Sequence, residues 1–197
     1  MKYLIGLLVL GLAGVSMVIS GAQAQNVVTY NQVMQSLITS GNTARKVGID
    51  TEAIRQEVEA RIRAEGTEDA HSATPVLNLL KKLPQLIVQI QFDLDSDLIR
   101  PESFVTIGKI ADALHHPLAA GNRFLIVGHT DSRGKRLYNL DLSNRRALSV
   151  ADMLATTFRI NPGRLTAMGL GEEQLFDAAN PKNGVNRRVE FFNIGPY

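Results

Sequence analysis

Four consecutive apolar residues, Phe124-Leu125-Ile126-Val127, followed at once by a glycine, do most to restrict the folds open to this chain. A strand with one wet face alternates, whereas a short unbroken run means a central strand covered on both faces. The flanking sequence supplies the cover. Upstream, Val88, Ile90 and Phe92 alternate with Gln89 and Gln91, the period of a strand from Leu86 with one covered face. Pro101 then opens a helix whose Phe104, Ile107, Ile110, Ala111 and Leu114 mark one face at spacings of three and four. His115 and His116 close it, at the negative end of the helix dipole. Downstream, Ala147, Val150, Ala151, Leu154 and Phe158 give a second helix its core stripe, which Pro162-Gly163 ends. Leu165 to Met168 reads as a strand, and Val189 to Phe192 as the last one. The order β-α-β-α-β-β with helix-length crossovers predicts an α/β, two-layer domain over residues 86–197.

The first 24 residues have a different character. Lys2 is a short positive start, Tyr3 to Ser20 carries no charge, and Ala22-Gln23-Ala24 offers the small residues that a signal peptidase reads. A cleavable signal peptide over 1–24 is expected, with Gln25 as the mature start. The competing reading is an uncleaved membrane anchor, because the apolar run approaches the ~20 residues that span a bilayer. Gly6, Gly11 and Gly14 favour cleavage. The chain has no cysteine, which excludes a disulfide framework, a thiolate metal site and a lipidated cysteine. Removing residues 1–24 takes away Lys2 and no acid, so Lys+Arg falls from 21 to 20 against 19 Asp+Glu. A charge of +1 is no footprint for nucleic acid.

Residues 25–85 are weakly patterned. Val33, Met34, Leu37 and Ile38 recur at helical spacing before Gly41-Asn42. A second helix is expected from Thr51 to Glu65, with the pairs Glu57/Arg61 and Glu59/Arg63 in the favourable i,i+4 order. Its apolar stripe is only Ile54, Val58 and Ile62, so it reads as a tether or marginal helix, or else as a partner-binding helix. Gly66 to Thr74 is expected to be linker, with a Leu-rich turn between Pro75 and Pro84.

The chemistry concentrates after the central strand. Asp131 falls just past its C-terminal end, where α/β folds hold their ligands. Asn139, Leu142 and Arg146 are spaced i, i+3, i+7, one stripe of the following helix, and Asn139 also suits an N-cap. An acid accepts from an ammonium and an arginine fork grips a carboxylate, so this corner suits a zwitterion. Other chemistries fit less well. His129, Asp131 and Ser143 lack the strained turn of a nucleophilic serine. A zinc site needs a third ligand, and His71, His115 and His116 lie in unrelated segments. Arg187-Arg188 suits a phosphate site or, by strand alternation, one arginine inward on a buried acid and the other outward. Gly169-Leu170-Gly171 lacks the rest of a nucleotide-binding fingerprint. No catalytic residue, metal or cofactor is expected.

The full string, Gly128-His129-Thr130-Asp131, Gly134, Tyr138-Asn139, Leu142-Ser143 and Arg146-Ala147, resembles the OmpA-like domain, the peptidoglycan-anchoring family. Two further blocks agree: Phe92-Asp93-Leu94-Asp95-Ser96 with Pro101-Glu102-Ser103, and Asn186-Arg187-Arg188-Val189-Glu190. The resemblance implies a small mixed sheet and a site for diaminopimelate of the peptidoglycan stem peptide. Asp131 and Arg146 stand at the binding positions, and Phe92, Asp93, Thr130, Asn139 and Leu142 at positions lining them. It further implies a periplasmic, cell-wall or outer-membrane associated protein that anchors to peptidoglycan. The alternative is an envelope protein-interaction module that has lost cell-wall binding and recruits a partner through residues 25–85; homodimerisation stays open. The chain departs from the family pattern at Leu170, at Leu175 and in Gly184-Val185-Asn186-Arg187-Arg188, which is two residues shorter. These departures bear on the 170–186 loop rather than on the binding corner.

Overall fold

The computed structural model describes residues 28–39, 49–65, 80 and 83–197. The signal-peptide reading of 1–24 and the linker expected at 66–74 lie outside them. In chain order the elements are α1 (Tyr30–Val33), which runs into a π-helical turn (Met34–Thr39), α2 (Thr51–Glu65), β1 (Gln85–Val88), α3 (Phe104–His115), β2 (Asn122–His129), α4 (Arg136–Thr156), β3 (Leu165–Gly171) and β4 (Val189–Pro196). The strands form one mixed sheet in the order β1-β4-β2-β3. β2 runs parallel to β3 and antiparallel to β4, and β1 pairs antiparallel with β4. The β-α-β-α-β-β order and mixed sheet expected for 86–197 are both present.

Because side chains alternate across a strand, the apolar run of β2 feeds two cores. Phe124 and Ile126 join Phe191 of β4, Ile107, Ile110 and Leu114 of α3, and Ala147, Val150 and Leu154 of α4. Leu125 and Val127 face the other way, with Phe192, Ile194, Met168 and Leu170. That second face is covered by α2, whose Ile54, Val58 and Ile62 are all buried against it. The stripe expected to belong to a tether is therefore a third layer over the two-layer domain. A narrow stripe suffices because Leu125, Val127, Met168, Leu170, Phe192 and Ile194 offer a contiguous apolar patch beneath it. Each such side chain stabilises by roughly 1.5–3 kcal/mol when fully buried. Asp50 caps α2 by accepting from the Ala53 amide at 3.0 Å.

Three further expectations change. The ladder of β1 ends at Val88, and Phe92 makes an isolated bridge with Ile99 instead of continuing the strand. Phe104, expected on the core face of its helix, is 44% exposed, since α3 begins there, after the 3₁₀ turn Pro101–Ser103. Asn139 is not an N-cap. The helix starts three residues earlier at Arg136, behind Lys135, which makes no side-chain cap.

The site is positioned by the close approach of α4 to β2 and β3. A side-chain carbon at Gly128 would overlap the Ser143 carbonyl, and one at Gly169 the Asn144 amide. Ser143 Oγ, fully buried, donates to the Leu140 carbonyl and accepts from the Gly171 amide, both at 2.8 Å. Its hydroxyl is spent on fastening helix to strand.

Candidate functional site

At the C-terminal end of β2 lies an open cavity of about 600 Å³, with Gly128 and His129 on one side and Phe92, Arg146, Val185 and Arg187 around it. Arg146 projects from α4. Its Nε donates to the Ser96 carbonyl at 2.8 Å and its Nη2 to the Asp93 carbonyl at 3.4 Å. The guanidinium carbon sits 4.9 Å from the centre of the Phe92 ring, a cation–π contact. Among the described residues no carboxylate lies within ion-pair distance of Arg146. Burial, and then the charge of Arg187, push its guanidinium below the usual range.

Asp131 is held in the loop after β2 and is nearly sealed. Its Oδ1 accepts from the Arg133 amide at 3.1 Å. Its Oδ2 accepts from Arg133 Nη1 at 3.1 Å and from Arg187 Nη1 at 2.5 Å. Arg187 thus stands between the cavity and the carboxylate. The loop bearing Arg187 is shaped by Asn186, whose buried amide bonds the Asp177, Asn180 and Pro181 carbonyls and accepts from the Asp177 amide. Ser132 N donates to the Pro181 carbonyl at 3.1 Å, joining that loop to the one carrying Asp131.

The other expected site residues divide into two groups. Phe92 and Arg146 line the cavity, and Asp93 contributes its carbonyl to Arg146. Thr130, Asn139 and Leu142 are buried and do not line it. Asn139 Nδ2 donates to the Asp131 and Arg133 carbonyls and, at 2.5 Å, to Glu172 Oε2, so it braces the Asp131 loop from behind. Thr130 Oγ1 is buried and has no hydrogen-bond partner among the described residues.

Of the two arginines, one expected inward and one outward, Arg188 is the inward one: its Nε donates to Glu190 Oε1 at 2.7 Å. Burial alone would raise the Glu190 carboxyl, but His129 and Arg188 beside it hold it at about 2. Burial pushes the His129 imidazole down. Among the described residues the nearest group to the His129 ring nitrogens is Glu190, whose Oε2 lies 3.7 Å from Nε2, an ion-pair distance rather than a short hydrogen bond. Arg187 is the residue that sequence reasoning left outside the site. Its signal was present in the block Asn186-Arg187-Arg188, but its reach to Asp131 depends on the fold of the loop. Among the described residues no group of three His, Cys, Asp or Glu side chains is placed to hold a metal.

Among similar proteins, outer membrane porin F of Pseudomonas aeruginosa is 32% identical over 126 residues, covering 63% of this chain and 34% of that protein. The peptidoglycan-associated lipoprotein of Pseudomonas putida is 35% identical over 106 residues, covering 53% of this chain and 61% of the lipoprotein. The chain therefore spans less than two thirds of the length of either relative. A solved structure, the cell wall anchor of the T6SS from Pseudomonas aeruginosa, overlays with a TM-score of 0.47 at 30% identity, covering 57% of this chain and 81% of that one. Residues 91–188 match the OmpA family. That stretch of the chain is an OmpA family domain.

Proposed function

We propose that this chain is a non-enzymatic, periplasmic cell-wall-binding protein that grips peptidoglycan through the diaminopimelate of its stem peptide. Asp131 takes the ligand ammonium and Arg146 a carboxylate. The observation that carries this reading is Arg146: a half-buried guanidinium on the cavity wall, bonded only to carbonyls and a ring face among the described residues, with Asp95 attracting it only from beyond ion-pair distance. A cation held out of water in that way attracts a carboxylate strongly. The relative named as peptidoglycan-associated agrees in kind.

Two charge-assisted contacts of ~1.5–3 kcal/mol each, with apolar contact on Phe92, bring affinity into the range of ~4–8 kcal/mol, millimolar to micromolar. On a polymer of repeated sites that is enough. Lysine-type stem peptides lack the side-chain carboxylate, so Arg146 would go unpaired and binding would fall.

The test is co-sedimentation of the full chain with diaminopimelate-type sacculi. The full chain is needed because α2 forms part of the core. Wild type is expected in the pellet, and Asp131→Ala and Arg146→Ala, checked as folded by circular dichroism, in the supernatant. Pelleting of both variants at the wild-type level would remove these residues from the site.

A further inference from the structure

Charge matching at the cavity is unbalanced. Asp131 carries two guanidinium partners, Arg133 and Arg187, while Arg146 has no carboxylate partner among the described residues. The side chain of Asp131 is 7% exposed, and the group that covers it toward the cavity is Arg187, itself 49% exposed. An ammonium arriving from the cavity meets Arg187 first. It can reach Asp131 only by taking the place of that guanidinium, which is free to swing because half of it is already in water. Once displaced, Arg187 joins Arg146 as a second cation without an ion-paired carboxylate, and the two already repel each other, a repulsion that the more distant Asp95 only partly offsets. A ligand with one ammonium and one carboxylate would leave one of them unmatched.

We propose that the site is built for a ligand segment with two carboxylates beside its ammonium, the second received by Arg187 as it leaves Asp131. Arg187 is then a specificity-determining residue: it occupies the ammonium position when the site is empty and a carboxylate position when it is filled. Resting on the cell-wall reading above, the proposal narrows the ligand to stem peptides whose carboxylates are free rather than amidated. Amidation turns an anionic acceptor into a neutral group that bonds an arginine fork more weakly. The shortened loop Gly184-Val185-Asn186 sets where Arg187 stands, and the amide of Asn186 fixes that loop to its neighbours.

The experiment is calorimetric titration of the full chain with two probes. One is N-acetyl-Ala-γ-Glu-diaminopimelate with all carboxylates free. The other is the same peptide amidated at its glutamate and C-terminal carboxyls, keeping only the carboxylate beside the ammonium. Wild type is expected to bind the amidated peptide at least about tenfold more weakly, the worth of one charge-assisted pair. In Arg187→Gln, and in Arg187→Met as a second neutral replacement, that penalty is expected to shrink below about threefold. Equal affinity of wild type for the two peptides overturns the proposal, as does an undiminished penalty in the variants. Failure of wild type to bind either peptide overturns the cell-wall reading on which it rests.

Discussion

Glu173 and Asp131 are each clamped between two arginines, and the two clamps differ in kind. Glu173 lies between Arg61 of α2 and Arg136 of α4, at 2.6 Å from each, with side-chain exposures of 1%, 15% and 7%. Asp131 lies between Arg133 and Arg187, which are 63% and 49% exposed. The chemistry is the same; what differs is whether the arginines can leave. In the sealed cluster, parting any pair strands a charge in low dielectric, so the cluster fixes α2 to the domain. In the open one, an arginine can trade the acid for water or ligand at little cost. The two clamps are distinguished by the exposure of their cations, not by the acid, as the proposed binding role of the Asp131 corner requires.

The largest effect is expected where the sealed cluster is broken. Glu173→Gln takes from two buried arginines, Arg61 and Arg136, the carboxylate that they share, and should cost about 3–5 kcal/mol of unfolding free energy in urea titration. A loss below about 1 kcal/mol would mean that the cluster is sealed in appearance only.

Glu190 supplies a second sealed acid and a pH dependence. Its carboxyl is held at about 2 against an ordinary 4.5, because His129 and Arg188 outweigh the burial that opposes its ionisation. A depressed acid gives stability that is complete above the unfolded value and is lost as pH falls through the folded one. The window is therefore pH 4.5 down to 2, and the loss is on the order of 3 kcal/mol. His129, held below 6.5 by burial, adds a loss of the same sign beginning as pH drops under 6.5. Urea midpoints that stay level from pH 6.5 to 3 would contradict both.

The third prediction tests the layer that the sealed cluster fastens. Val58 is 1% exposed between α2 and the sheet. Val58→Ala removes two carbons and leaves a void, for an expected cost of about 1.5–3 kcal/mol. A change within about 0.5 kcal/mol would return α2 to the status of a tether.

The four strands and two domain helices were legible because each rests on a local period, and the run Phe124 to Val127 announced that both faces of β2 would be covered. What covered the second face was not legible. The stripe Ile54, Val58, Ile62 looks marginal by itself, and its value comes from Leu125, Met168 and Phe192, distant in sequence. Glu173 carries no local sign of its role, since its partners come from residues 61 and 136. In the site, Asp131 does follow the strand end and Arg146 does lie on the helix, but only Arg146 lines the cavity, since Arg187 covers Asp131. Asn139 misled because a polar residue near a helix start suits a cap, and only the observed start at Arg136 shows that it reaches sideways to Glu172 and the Asp131 loop. Arg187 was hidden for a different reason. Alternation says that one of Arg187 and Arg188 points inward and the other outward, but not that a pinned loop lays Arg187 across Asp131.

The smallest effect on stability is expected at that residue. Arg187→Gln removes one of two exposed arginines from Asp131, which retains the Arg133 guanidinium and the Arg133 amide. Exposed pairs contribute about 0–1 kcal/mol, so the urea midpoint should hardly move, in contrast to the 3–5 kcal/mol expected at Glu173. A loss above about 2 kcal/mol would show that Arg187 is as firmly committed to Asp131 as Arg136 is to Glu173. The open corner would then be a second structural lock, and an arginine that cannot leave its acid cannot yield it to a ligand. Near-neutral stability is thus the condition that partner exchange at the cavity has to meet.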